Sequence, residues 1–274
     1  MGFFDIFKKQ QAQESAAPKK EKAERNQGLF AGSILLSEPT FDFDAFVEEL
    51  GKHWDIALLG DDAAHDGETM VFYVDGMMAA VSLFPSPVPN DEAVNNAKTN
   101  YRWRGAVQVA EQHKAHVFIA VMSGDKPLTD AGILLVRLCA AALAQETATG
   151  IYTAGTVFEP DFYRAYAAFY FENDLYPVMN LVFFGLYSRD NGDTWCSYTY
   201  GMKNTFLKDE FEVFDTKHTP EELIEFMSDV ASYVIEEDAT LRPGQTIGFT
   251  QEQKLPITRS PSDVLEGETL KIEF

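Results

Sequence analysis

The sequence predicts an α+β fold: antiparallel sheets with helices packed on them, in one large domain whose two halves meet near residues 158–161. Three observations lead there. Two β-rich runs, Met70 to Val74 and Met77 to Phe84, are joined by Asp75-Gly76, a dipeptide that favours a tight hairpin because both positions tolerate positive φ. Thr219-Pro220-Glu221-Glu222 is a helix start, with Thr219 as cap, Pro220 at the first position and Glu222 closing a capping box. Between such units there is no regular strand–helix alternation, as a parallel α/β sheet would require.

Taken in order, the body begins at Gly28, and Ile34-Leu35-Leu36 gives a first strand. Asp42 or Thr40 caps a helix over Phe43 to Lys52, with Phe43, Phe46, Val47 and Leu50 on one face. Ile56 to Leu59 reads as a short strand, and the Asp75-Gly76 hairpin follows. Pro85, Pro87 and Pro89 then stop regular structure. Asn90 is expected to cap a helix running to about Tyr101, Gly105 to His113 to be helical, and His116 to Met122 to be a buried strand. A helix from Thr129 to about Thr147 is apolar nearly all round, so it should lie centrally. Gly150 to Thr153 is a strand and Asp161 to Phe171 a helix. Val178 to Tyr187 and Thr194 to Tyr200 read as a second hairpin around Asp190-Asn191-Gly192-Asp193, and Phe211 to Phe214 as a further strand. The Thr219 helix carries Leu223, Phe226, Met227, Val230, Ala231 and Val234 on its core face. Short strands near Thr246 to Phe249, Lys254 to Ile257 and Leu270 to Phe274 close the chain.

Charge divides the sequence differently. Residues 1–27 hold six basic and four acidic side chains; the whole chain holds 22 and 43, which leaves 16 against 39, a balance of −23, for residues 28–274. Hence 1–27 is expected to be a basic amphipathic leader and linker, and 28–274 an acidic α+β domain. In the leader, Phe3, Phe4, Ile6 and Phe7 fall on one side of a short helix with Lys8 and Lys9 beside them. That pattern suits weak contact with an anionic membrane, docking on the body, or self-association. The apolar run is far too short for a signal peptide. The acidic body repels phosphate backbones, which argues against nucleic acid and for a basic protein partner. Two cysteines, Cys139 and Cys196, lie in no CxxC or zinc spacing and are expected to be free thiols.

Candidate chemistry is sparse. His113 and His116 are the close histidine pair, but they straddle a helix-to-strand junction with Lys114 between them, so no metal is expected. Trp103 lies between Arg102 and Arg104, either to stack on or clamp a ligand, or to pack on the core while the arginines pair with surface acids. No GxSxG and no glycine-rich phosphate loop occurs, and no cofactor and no catalytic residue is expected.

Several stretches carry a family resemblance: Ile34-Leu35-Leu36-Ser37-Glu38-Pro39, Lys114-Ala115-His116-Val117-Phe118-Ile119, Thr149-Gly150-Ile151-Tyr152, Tyr200-Gly201-Met202 on to Phe211-Glu212-Val213, and Gly244-Gln245-Thr246-Ile247-Gly248. Through them, residues 30 to 274 resemble the domain of unknown function numbered 4261. The resemblance implies a bacterial, intracellular α+β protein and brings no catalytic residues. From the body's charge of −23 and its lack of a chemistry motif, the expected function is that of a cytoplasmic, non-enzymatic binding protein engaging a basic partner, as an immunity or inhibitor protein would. The alternative is an enzyme or small-ligand binder with a pocket around Trp103, His116 and Tyr152, to which Arg104 and His113 would contribute.

Overall fold

A computed structural model describes residues 29–58, 63–248, 250 and 252–274. The leader with Phe3, Phe4, Ile6 and Phe7 lies outside the described residues. The described chain is α+β and divides into two compact units. The larger comprises the residues up to Gly185 together with Tyr200–Leu207; the smaller comprises Leu186–Thr199 and Lys208–Phe274.

The larger unit is built on a seven-stranded antiparallel sheet. Its strands are β1 (Leu29–Leu36), β2 (Ala63–Asp66), β3 (Thr69–Val74), β4 (Met77–Phe84), β5 (Ala115–Met122), β6 (Ala148–Thr153) and β7 (Thr156–Phe158), in the order β2-β3-β4-β5-β1-β6-β7. β1 is central: Ile34 lies opposite Val117 on one side and Ile151 on the other, and all three are fully buried. Above them runs α4 (Leu128–Ala142), whose apolar surface on every side is explained by its position among the sheet, α1 (Phe43–His53) and α5 (Pro160–Glu172). Gly132 makes part of this packing possible. A Cβ there would stand 2.4 Å from Tyr176 Oη and 3.0 Å from Leu181 Cδ1.

The opposite face of the sheet carries two further helices of this unit at one end. There α2 (Glu92–Ala97) and α3 (Ala106–Gln112) close a small apolar cluster of Leu35, Val88, Ala93, Ala97, Ala106, Ala110 and Val157. Along β5 burial alternates, with Val117, Ile119 and Val121 sealed under α4 and Phe118 exposed on the other face. That face also holds the candidate site. Two short helices, α6 (Val178–Leu181) and α7 (Met202–Phe206), complete the unit.

Around the smaller unit runs a six-stranded sheet of order β11-β12-β13-β10-β9-β8. Its strands are β8 (Phe183–Tyr187), which carries the chain from one unit into the other, β9 (Trp195–Tyr200), β10 (Phe211–Thr216), β11 (Thr246–Ile247), β12 (Leu255–Pro261) and β13 (Glu268–Ile272). β10 and β13 are parallel, with Glu212 opposite Lys271. Both side chains are buried and pair at 2.8 Å. Ser262 Oγ donates to the other carboxylate oxygen, and Lys271 Nζ also donates to Thr269 Oγ1. Such a pair must be fully hydrogen-bonded to offset the loss of water around two charges. The predicted capping box opens α8 (Pro220–Glu236), with both reciprocal hydrogen bonds formed. All six predicted core residues of that helix are buried.

Several elements differ from the sequence reading. Ile56 to Ala57 is not a strand: Asp55 turns left-handed at φ 56°, and the Ile56 N–H bonds back to the Leu50 carbonyl, so this stretch closes α1. Asn90 is not a helix cap. Asn90 and Asp91 are both left-handed, in a 3-10 turn over Pro89–Asp91, and the helix after them ends at Ala97. α4 ends at Ala142, and beyond it the Gln145 and Thr147 side chains bond to the Thr40–Asp42 backbone. Val178–Leu181 is a helical turn, and the strand begins at Phe183. β2, β7 and α7 have no counterpart in the sequence reading. Residues 158–161 lie within the larger unit, where β7 pairs with β6; the chain leaves that unit after Gly185. Cys139 and Cys196 are buried and free. Among the described residues no helix is long and apolar enough to cross a membrane.

Candidate functional site

On this face of the larger sheet a cleft of about 580 Å³ lies between the strands and the proline-rich segment after β4. Its floor is the exposed side of β1 and β5, including Ser33 and Phe118. Alternation places His116 on the same side as Phe118, two residues along. Ser86, Pro87 and Val88 form one wall, and the β6–β7 turn at Ala154 and Gly155 another. That turn has φ of 47° and 69° at its two central residues, the conformation of a primed hairpin turn. Gly155 is obligatory there, because a Cβ would lie 2.3 Å from Tyr200 Cε1.

The two histidines hold the proline-rich wall. His113 Nδ1 donates to the Ala110 carbonyl, which leaves Nε2 to accept the Val88 N–H at 2.8 Å. His116 Nδ1 donates to the Ser86 carbonyl at 2.8 Å, and its ring stacks on Phe84 at 5.0 Å between centroids. Burial pushes both imidazoles below their ordinary pKa, against the opposing effect of these backbone bonds. Both are therefore neutral, with the proton on Nδ1. Nε2 of His116 is then an acceptor, and no described residue donates to it. It lines the cleft.

The other polar corner is made by α2. The left-handed pair Asn90 and Asp91 turns the chain so that Glu92 faces β6. The Tyr152 hydroxyl donates to Glu92 Oε1 at 2.7 Å and accepts from Asn96 Nδ2 at 3.2 Å; Asn96 also donates to the Glu92 carbonyl. Burial first, and then the Glu92 carboxylate, push the tyrosine well above its ordinary pKa, so it acts only as a neutral hydroxyl. Two acceptors therefore face the cleft, the Glu92 carboxylate and His116 Nε2, beside the rings of Phe84 and Phe118, which are 44% and 36% exposed. No hydrogen bond joins His116 to Ser33 or to any other described hydroxyl. Among the described residues no group of three or more His, Cys, Asp or Glu could hold a metal ion.

Of the residues singled out from sequence, His116 and Tyr152 meet in this cleft. His113 stands behind its wall. Trp103 does not line it: half-buried, it packs against the cluster under α2 and α3, and its backbone N–H, like that of Arg102, donates to Asn100 Oδ1. Arg104 is exposed, without a described partner. Glu92, Asn96, Phe84 and Phe118 were missed. Phe118 was reachable by counting two from His116 along a strand; Glu92 and Asn96 carried no mark in a sequence with 43 acidic residues.

Neither the curated proteins nor the solved structures include a match to this chain. One family model does match: over residues 198–273, from β9 through β13, the chain resembles the Domain of unknown function (DUF4261), a span that takes in the Tyr200 to Val213 and Gly244 to Gly248 stretches and leaves the cleft outside it.

Proposed function

We propose that this protein works by binding rather than by catalysis, and that its cleft receives a basic side chain from a protein partner. The observation that carries the reading is the pairing of two hydrogen-bond acceptors, Glu92 and His116 Nε2, with two exposed aromatic rings, Phe84 and Phe118. A lysine or arginine entering there would meet a carboxylate, a ring-nitrogen lone pair and a π face together. The excess of acidic residues in the body would steer such a partner and speed its encounter. An immunity or inhibitor role toward a basic toxin or nuclease belongs to this reading. So does a bacterial, cytoplasmic location, with weak N-terminal contact at the inner face of the membrane; the two free, buried thiols agree with a reducing compartment.

Capture from native cells at graded salt tests it. The wild-type protein should enrich basic proteins, with recovery falling as salt rises, and both Glu92→Gln and Phe118→Ala should recover much less. Equal recovery by all three proteins would remove the cleft from the interface. A second reading, a small-ligand or enzyme pocket, draws on the cleft's volume of about 580 Å³, within the range of small-molecule sites. Turnover in a broad hydrolase and transferase screen, abolished by His116→Ala, would favour it over the first.

A further inference from the structure

A second cleft in the larger unit, of about 570 Å³, opens between the end of α1, α4 and α5. It is electrostatically unlike the first. Arg137 projects half-buried from α4, and its guanidinium lies over the ring of Phe171, 4.7 Å from the centroid. Not one of the described carboxylates pairs with it, in a chain where acids outnumber bases about two to one. Arg164 on α5 pairs through Nη2 with Glu49 at 2.9 Å, but its Nε is buried with no acceptor. Trp54, 7% exposed, stands edge-on to Phe171, and its indole N–H is likewise buried with no acceptor among the described residues. Unmatched buried donors are rare in folded proteins. Here both residues, Trp54 and Arg164, line one cleft, together with Arg137, which pairs with no described carboxylate.

We propose that this cleft binds a small organic molecule through a single carboxylate, held by Arg137 and Arg164. Guanidinium groups present paired N–H donors that match a carboxylate's two oxygens. Ala165, Ala168 and Phe171 supply an apolar wall for the organic part. Asp55 and Glu172 lie at the same cleft and are exposed. They repel a multiply charged anion such as phosphate, and so favour one negative charge over two.

The test is titration of the full-length protein with benzoate, followed by thermal shift and tryptophan fluorescence, with inorganic phosphate as the contrasting probe. Benzoate should raise the melting temperature in a saturable way, and phosphate at equal ionic strength should do so much less. Arg137→Gln should weaken benzoate binding by about tenfold or more, the loss of one charge-assisted contact. Should that variant not fold, Glu172→Gln, an exposed change, should tighten benzoate binding severalfold by lifting the repulsion. The proposal is overturned if benzoate gives no saturable shift, if phosphate matches it, or if neither substitution alters its affinity.

Discussion

His113 and His116 stand three residues apart, and each gives its Nδ1 proton to a backbone carbonyl rather than to a shared ligand. Each imidazole thereby fastens one residue of the proline-rich segment, Val88 or Ser86, that walls the cleft. Protonating His113 would put a hydrogen on the nitrogen that accepts the Val88 N–H. Its folded pKa lies below the unfolded value of about 6.5. Folding therefore releases protons in that range, and the stability His113 contributes is full above about pH 6.5 and is lost as pH falls through the folded value. We expect His113→Ala to cost about 1–3 kcal/mol at pH 7, where it leaves a buried N–H unpaired. The gap from wild type should narrow at pH 5. Urea unfolding at the two pH values measures this, and an unchanged gap would mean that His113 does not hold the loop. The sequence showed these two histidines as a pair; which backbone groups they would bond was not legible, because Ser86 and Val88 are more than 20 residues away in the chain.

Elements set by local chemistry were read correctly from sequence. Asp75 and Gly76 adopt φ of 50° and 84° between β3 and β4, as an Asp-Gly hairpin turn requires. Asp42 caps α1 by accepting the Ala45 N–H, and Thr219 caps α8 within a complete capping box. At the element scale we expect Thr219→Ala to destabilise the protein by about 1 kcal/mol, whereas Thr219→Ser, which keeps the hydroxyl, should stay close to wild type. Equal urea midpoints for Thr219→Ala and wild type would show that packing alone sets that helix start. Elements without a local rule were missed. Ala63–Asp66 is a strand because it satisfies the free edge of β3, and Thr156–Phe158 because a turn at Ala154-Gly155 folds it back on β6. Ala63–Asp66 carries no β-rich pattern of its own; Thr156-Val157-Phe158 does, but it is only three residues long, and alanine is an unusual residue for the left-handed position that precedes it.

Across the whole molecule, charge separates residues 1–27, with a balance of +2, from the remainder at −23. The proposed membrane contact of Phe3, Phe4, Ile6 and Phe7 belongs to this scale. Insertion of each Phe is worth roughly 1.5–3 kcal/mol when complete, and each neighbouring lysine adds about 1 kcal/mol at an anionic surface, while the acidic body is repelled by the same surface. The expected outcome is weak, salt-sensitive co-sedimentation of the full-length chain with anionic vesicles, lost in a chain beginning at Gly28. If the two sediment alike at low salt, the membrane contact is wrong.

The α+β class, the strongest turns and caps, and the central place of the apolar helix with Cys139 are legible in the linear chain, because each depends on periodicity or on the side chains of a few neighbouring residues. Where polar groups converge depends on long-range packing. Glu92 reaches Tyr152 across 60 residues and Arg164 reaches Glu49 across 115. The polar corners of both clefts are therefore made by groups that are remote in sequence, and a linear pattern does not encode which of many similar acids and arginines the packing will bring together.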